Sequence, residues 1–218
     1  MSKSIYLLSP LVKEGTISLP MIRFQVTAEK VDLSHCDVLM FTSKQAVKSV
    51  DQLNPKWKNI PSLAIGASTA KQIEKLGGKV LYQPNSFYGK TLSHDIVEKF
   101  SDKKILYLRP KEVSFDSKSF LISSGIRLDE QVIYETTCIL YDTSTKPTKD
   151  AIIIFTSPST IHCFLKNFIW DESYTAVVIG EATKEHLPMN ARCVVADIPQ
   201  IDSCIAKAKD ILLTSNSK

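Results

Sequence analysis

Asp37-Val-Leu-Met-Phe-Thr-Ser-Lys-Gln-Ala-Val47 and Ala151-Ile-Ile-Ile-Phe-Thr-Ser-Pro-Ser-Thr-Ile161 decide how this chain is read, because the same pattern occurs twice. In each, a short apolar run of strand length ends in Phe-Thr-Ser and passes into a helix-like stretch, the sequence form of a buried parallel strand feeding a crossover helix. Leu63-Ala-Ile-Gly-Ala-Ser-Thr69 and Val177-Val-Ile-Gly-Glu-Ala-Thr183 repeat a second junction. Phe41/Phe155, Thr42/Thr156, Ser43/Ser157, Ile65/Ile179, Gly66/Gly180 and Thr69/Thr183 all lie 114 residues apart, so the spacing survives without insertion. The chain reads as a duplication of one α/β unit.

Working outward, strand-like runs at Ile5–Leu8, Val80–Tyr82, Ile105–Leu108 and Cys193–Val195 join those already named. Helical stretches are expected at Lys44–Leu53, Ser68–Leu76, Leu92–Phe100, Ser159–Phe168, Thr183–Leu187 and Ile201–Leu213. This alternation predicts parallel βαβ units. Ile5-Tyr-Leu-Leu-Ser-Pro10 and Ile105-Leu-Tyr-Leu-Arg-Pro110 form a weaker echo, each a strand closed by proline. Arg23–Thr27 and Gln131–Ile139 alternate like strands but lack the glycine of a tight hairpin, and read as connections between the units.

Composition bounds the possibilities. The 218 residues are 44% hydrophobic and 23% charged, an ordinary globular balance that argues against disorder. No apolar run approaches the roughly 18 residues of a membrane helix. A net charge of +4 tilts toward an anionic partner without making a nucleic-acid stripe. The five cysteines, odd in number, widely spaced and without Cys-x-x-Cys, point to the reducing cytosol. The four histidines show no metal-ligand spacing. Only seven residues are glycine, and two of them occupy matched places in the repeat.

Three features carry candidate chemistry. Phe-Thr-Ser puts hydroxyls, here Thr42, Ser43 and Ser157 with nearby Ser159, at the carboxyl edge of a parallel sheet, where free helix-start N–H groups suit anions. Ser43 and Ser157 read equally as plain N-caps. In Ile-Gly-x-x-Thr, the glycines Gly66 and Gly180 permit a tight turn or close ligand approach, with Thr69 and Thr183 in the first helical turn. A purely geometric need for glycine is the alternative. Tyr134, in Val-Ile-Tyr-Glu-Thr, can offer its phenol to a substrate, or be an amphipathic tyrosine half-buried at a unit boundary.

Taken with Leu106-Tyr-Leu-Arg-Pro110 and Ile-Pro199 before the final helix, these motifs resemble uroporphyrinogen-III synthase over nearly the whole chain. The resemblance implies an α/β fold of two similar parallel-sheet domains of flavodoxin-like topology, joined by a two-stranded β-ladder hinge. Residues 1–26 with 138–218 would form a discontinuous domain, 36–128 an inserted one, and 23–35 and 129–139 the connecting strands. The repeat alone places a single boundary near residue 101.

The implied reaction cyclises hydroxymethylbilane, a linear tetrapyrrole octacarboxylate, to uroporphyrinogen III, inverting the last ring and losing water. It implies no cofactor, no metal, a cytoplasmic location and transient contact with hydroxymethylbilane synthase; neither nucleic acid nor membrane is implied. Tyr134 carries the family's tyrosine, a candidate acid or hydrogen-bond donor, while Thr42, Ser43, Gly66, Thr69, Ser157, Ser159, Gly180 and Thr183 would receive carboxylates. Gln200, after Pro199, departs from the hydroxyl residue common there. A non-catalytic two-domain module binding a small polyanion in its cleft is the rival reading.

Overall fold

The computed structural model describes residues 3–86 and 88–216. In chain order, strands β1 (Ile5–Leu7), β2 (Ile17–Ser18), β3 (Ile22–Val26) and β4 (Val38–Phe41) precede helix α1 (Lys44–Leu53). Strand β5 (Pro61–Ala64), helix α2 (Ala67–Lys75), strand β6 (Lys79–Tyr82) and helix α3 (Gly89–Lys99) follow, then β7 (Lys104–Pro110), α4 (Ser117–Ser123) and the long β8 (Arg127–Cys138). The last third holds β9 (Ile152–Phe155), α5 (Pro158–Asn167), β10 (Thr175–Val178), α6 (Glu181–Lys184), β11 (Arg192–Val195) and α7 (Ile201–Asn216).

Two compact units result, one built from residues up to Arg23 with those from Thr137 onward, the other from Phe24–Thr136. No boundary falls near residue 101, because β7 is an inner strand of the second unit's sheet. That sheet runs β3-β8-β7-β4-β5-β6, and the first unit's runs β11-β10-β9-β1-β2. Shifting β4, β5 and β6 by 114 residues lands on β9, β10 and β11, so the orders coincide from the edge to the middle. Beyond the middle, β7 takes the place of β1 and β8 that of β2. The two units are thus one sheet plan cut at different points. In the first unit β1 and β2 come before the others in the chain; in the second β7 and β8 come after, with β3 added outside β8.

Each central strand is buried on both faces, which explains its unbroken apolar run. In β4, Val38 and Met40 join one core with Leu92, Ile96 and Leu121 from α3 and α4, while Leu39 and Phe41 join another with Val47, Val50 and Ile73 from α1 and α2. In β9, Ile152 and Ile154 pack on Cys204, Ile205 and Ala208 of α7, and Ile153 and Phe155 on Ile161 and Phe164 of α5. Strands β3 and β8 run antiparallel, since Thr27 N–H donates to Ile133 O at 3.1 Å and Ile139 N–H to Met21 O at 2.9 Å, numbers rising on one strand as they fall on the other.

Helix α4 escapes the periodicity reading because Ser-Lys-Ser-Phe-Leu-Ile-Ser shows too few apolar positions; its start is set by Asp116, whose carboxylate accepts from Ser119 N–H at 3.0 Å. A disulfide joins Cys138, at the end of β8, to Cys163 in α5, with Cα atoms 5.2 Å apart. Sequence separation gave no sign of that pair. The remaining three, Cys36, Cys193 and Cys204, are free thiols.

Helix α2 ends in a Schellman turn, with Gly77 at φ 88° and Gly78 N–H donating to Ile73 O at 2.9 Å. Trp57, fully buried, covers Gly78 so closely that an added Cβ would overlap its ring and come within 2.9 Å of Ile73 Cγ2. Gly78→Ala is expected to destabilise the protein by about 1–3 kcal/mol through overpacking, read as a lower urea midpoint with an unchanged slope. An unshifted midpoint would mean that the Trp57 ring is free to move aside.

Candidate active site

Thr42 and Ser43 follow directly on β4, and strand alternation sends their side chains to opposite faces of the sheet. Thr42 continues the row of Val38 and Met40; Ser43 continues that of Leu39 and Phe41. A tyrosine meets each. Tyr107 is the parallel neighbour of Met40 on β7, so its ring lies on the Thr42 face, and its phenol shares a 2.9 Å hydrogen bond with Thr42 Oγ1. Tyr134, on β8 in the core of Leu39 and Phe41, shares a 2.8 Å hydrogen bond with Ser43 Oγ. Phe24 of β3 holds the Tyr134 ring edge-on, with centroids 5.9 Å apart.

Counting protons shows what this arrangement can do. Each pair owns two O–H groups and uses one between its members. Ser43 also caps α1 by accepting from Ala46 N–H at 3.0 Å, which occupies a lone pair and no proton. Among the described residues, each pair therefore keeps one O–H donor with no other hydrogen bond. Both phenols are buried, Tyr107 at 2% and Tyr134 at 4% exposure, whereas Thr42 and Ser43 are half-buried. Burial pushes both phenols above the ordinary pKa of tyrosine, a rise opposed by the bonds to Thr42 and Ser43. They are donors and weak acids at neutral pH.

The charges that follow Tyr107 along β7 are paired with one another. Arg109, two residues beyond Tyr107, donates to Glu130 from Nε at 2.7 Å and Nη2 at 3.1 Å, and from Nη1 to the carbonyls of Pro110 and Lys111. Lys118 donates to the same carboxylate at 3.0 Å. The Arg109 hydrogen bonds hold Glu130 below the usual carboxylate range, against the cost of its burial. What the two hydroxyl–phenol pairs offer an anion is neutral donors, with exposed Lys44 next to Ser43 at the start of α1.

The other sequence candidates fall into distinct settings. Ser157 caps α5 within a capping box, accepting from Thr160 N–H at 3.3 Å, and Ser159 is exposed in its first turn. Thr69 and Thr183 are buried, at 2% and 4% exposure, with their N–H groups donating to Gly66 O and Gly180 O at 3.0 Å. Gly66 and Gly180 open α2 and α6 in extended backbone, φ 175° and −178°, which any residue adopts. The tight-turn reason for glycine fails at both; left-handed glycines fall instead at Gly15, Gly77 and Gly125. Among the described residues a Cβ at Gly180 would meet nothing within 4 Å, so their packing does not demand glycine there either. Tyr134, read from sequence as half-buried or open to a ligand, is nearly fully enclosed. Tyr107 was missed as a site residue, although its segment was noticed. Among the described residues no three His, Cys, Asp or Glu side chains gather as a metal site.

Comparison with known proteins gives this geometry a family. Residues 13–206 match the family described as uroporphyrinogen-III synthase HemD. The porphyrin biosynthesis protein HemD of Ruminiclostridium josui is 33% identical over 79% of this chain, and the chain spans 38% of that relative's length. A uroporphyrinogen-III synthetase crystal structure from Helicobacter pylori superposes with a TM-score of 0.81 at 26% identity, covering 96% of this chain and 99% of that one. A mutant uroporphyrinogen III synthase of Thermus thermophilus shares the fold, with a TM-score of 0.62 at 10% identity over 98% of this chain and all of that one.

The buried phenols set an alkaline limit. With the folded-state pKa of Tyr107 and Tyr134 above the unfolded value of 10.0, the native protein retains protons that the unfolded chain releases. Their contribution is whole below pH 10 and is lost as pH rises through the folded values. Urea midpoints measured from pH 8 to 11 are expected to fall above pH 10, and Tyr107→Phe should make that fall shallower than in the unmodified protein. Parallel curves would show that the phenol ionises equally in both states.

Proposed function

The chain belongs to the uroporphyrinogen-III synthase family, and from that membership we propose that it cyclises hydroxymethylbilane to uroporphyrinogen III, inverting the last pyrrole ring and releasing water. A linear tetrapyrrole supplies its own driving electrons, because the pyrrole nitrogen stabilises the cation left when the terminal hydroxyl departs. The protein's share is then to hold eight carboxylates in a fold that favours ring inversion over direct closure. Such catalysis works by orientation and exclusion.

The observation that carries this reading is the pair of adjacent hydroxyls, Thr42 and Ser43, each hydrogen-bonded with a buried phenol. Neutral oriented donors bind a carboxylate without the long-range field of a lysine cluster, which suits a ligand with negative charge spread along its length. We assign substrate contacts to Thr42, Ser43 and Gly66 in one unit and to Ser157, Ser159 and Gly180 in the other. The buried Thr69 and Thr183 contribute from within the first helical turns. Open space at Gly180 and its extended backbone support close approach of a ligand there. Tyr134 assists departure of the hydroxyl by hydrogen bonding, directly or through Ser43; its raised pKa argues against full proton transfer at neutral pH.

Membership in an enzyme family favours this reading over a non-catalytic polyanion-binding module. Transient delivery of the unstable substrate by hydroxymethylbilane synthase belongs to the proposal, as does a cytoplasmic location. No described helix is long and apolar enough to cross a membrane. The Cys138–Cys163 bond weighs against a cytoplasmic setting, since disulfides are rare in reducing compartments. Acid quenching of intact cells followed by alkylation under denaturing conditions should label all five cysteines if the location is right; three labels would overturn it.

Freshly made hydroxymethylbilane, incubated with the protein and resolved into type I and type III products, tests the activity. Type III in excess is expected, and type I alone at the spontaneous rate would end the proposal. Tyr134→Phe should lower kcat roughly tenfold, the equivalent of one hydrogen bond of about 1.4 kcal/mol, without abolishing turnover. Unchanged turnover in that variant would remove the phenol from the reaction.

A further inference from the structure

We infer that Tyr107 is a positioning residue for substrate binding, acting through Thr42; the inference rests on the synthase reading above. The argument starts from the repeat. Phe-Thr-Ser closes both central strands, yet among the described residues only one copy is held by phenols. Tyr107 neighbours Met40 on β4, and Leu7 neighbours Ile154 on β9. Met40 and Ile154 are equivalents in the 114-residue repeat, so Leu7 occupies in one unit the place that Tyr107 occupies in the other. Leucine fills that apolar position without introducing a polar atom. A tyrosine at 2% exposure carries a hydroxyl that must find a partner, and in this chain the partner is Thr42.

The direction of that bond follows from the surroundings. The phenol is the stronger donor of the two and is enclosed in the core of Met40 and Leu121, so its proton is directed to Thr42 Oγ1. Thr42, half-buried at the strand end, then keeps its own proton for a group outside. Donation from Tyr107 fixes the Thr42 rotamer and polarises its O–H, since hydrogen bonds in a chain strengthen one another. The group outside is a carboxylate, because Thr42 presents a free O–H donor two residues before the start of α1, where the partial positive charge favours an anion. Tyr107 itself touches no substrate.

The test is a double-mutant cycle read in steady-state kinetics with hydroxymethylbilane. Tyr107→Phe removes the phenol oxygen and keeps the ring; Thr42→Val removes the hydroxyl and keeps the shape. Each is expected to raise KM about three- to tenfold with kcat changed less than twofold, and the double variant should be no worse than Thr42→Val alone. Thr42→Ser, which retains the hydroxyl, should restore a KM within twofold of the unmodified protein. Urea midpoints measured alongside identify any variant that fails to fold, in which case the bond is tested from its other end. Additive effects on KM, or an unchanged KM in Tyr107→Phe, would overturn the positioning role while type III formation by the unmodified protein left the synthase reading standing. Absence of type III product from the unmodified protein would overturn both.

Discussion

The period-two alternation of a single buried strand governs the chemistry of this protein. β4 is enclosed on both faces, so every side chain along it must satisfy one of two cores. When the strand ends in Thr42-Ser43, alternation does not stop, and two consecutive hydroxyls are delivered to opposite sides of the sheet. Here each finds a phenol from a neighbouring strand, Tyr107 on β7 and Tyr134 on β8. One residue of register slip in β7 would turn Tyr107 to the wrong face, and one in β8 would do the same to Tyr134.

The same constraint explains why duplication did not produce two equal sites. Repeated strands give repeated backbone junctions, and both copies keep Ser at the helix cap, where Ser43 and Ser157 accept from N–H groups three residues on. Partners from adjacent strands are not part of the repeat in the same way, since β7 and β1 come from different points in the chain. Leucine at position 7 leaves the second copy without a phenol on that face. A duplicated fold can thus preserve caps, which depend on local sequence, and diverge in side-chain pairs, which depend on neighbours brought in from elsewhere.

Much of the fold was legible because its signals are local. The apolar runs of β4 and β9, the serine caps and the matched spacing of the junctions lie within a few residues of one another. The helix α4 was not legible, since Asp116 and two serines fix its start while its short apolar content shows no period. Division of the chain into its two units was not a local matter either: the repeat suggests a cut near residue 101, and only sheet order puts β7 inside the second unit. Within the candidate site, Thr42 and Ser43 could be named from sequence, but Tyr107 could not. Nothing along Leu106-Tyr-Leu-Arg-Pro110 says that β7 will lie beside β4 in the register that sets Tyr107 next to Met40. At Gly66 and Gly180 a tight turn is one reason the sequence offers for glycine, and extended backbone at both leaves close approach of a ligand as the other.

The paired arrangement also bears on what kind of catalyst a phenol can be here. Burial raises the pKa of both tyrosines beyond the ordinary 10.0, which at neutral pH makes either a poorer proton donor than free tyrosine. General acid catalysis improves as the pKa of the acid approaches the working pH, and these sites move it the other way. Hydrogen-bond donation carries no such requirement, since a neutral phenol keeps its proton throughout and is held in place by packing. Tyr134 is wedged against Phe24, and Tyr107 stands in the core of Met40 and Leu121. Such rigid donors suit the proposed reaction, in which the substrate's own pyrrole would expel the leaving group and the outcome would turn on which of two ring closures the bound shape permits. For that task fixed donors matter more than acid strength, and a fold that buries its tyrosines behind half-exposed hydroxyls supplies them.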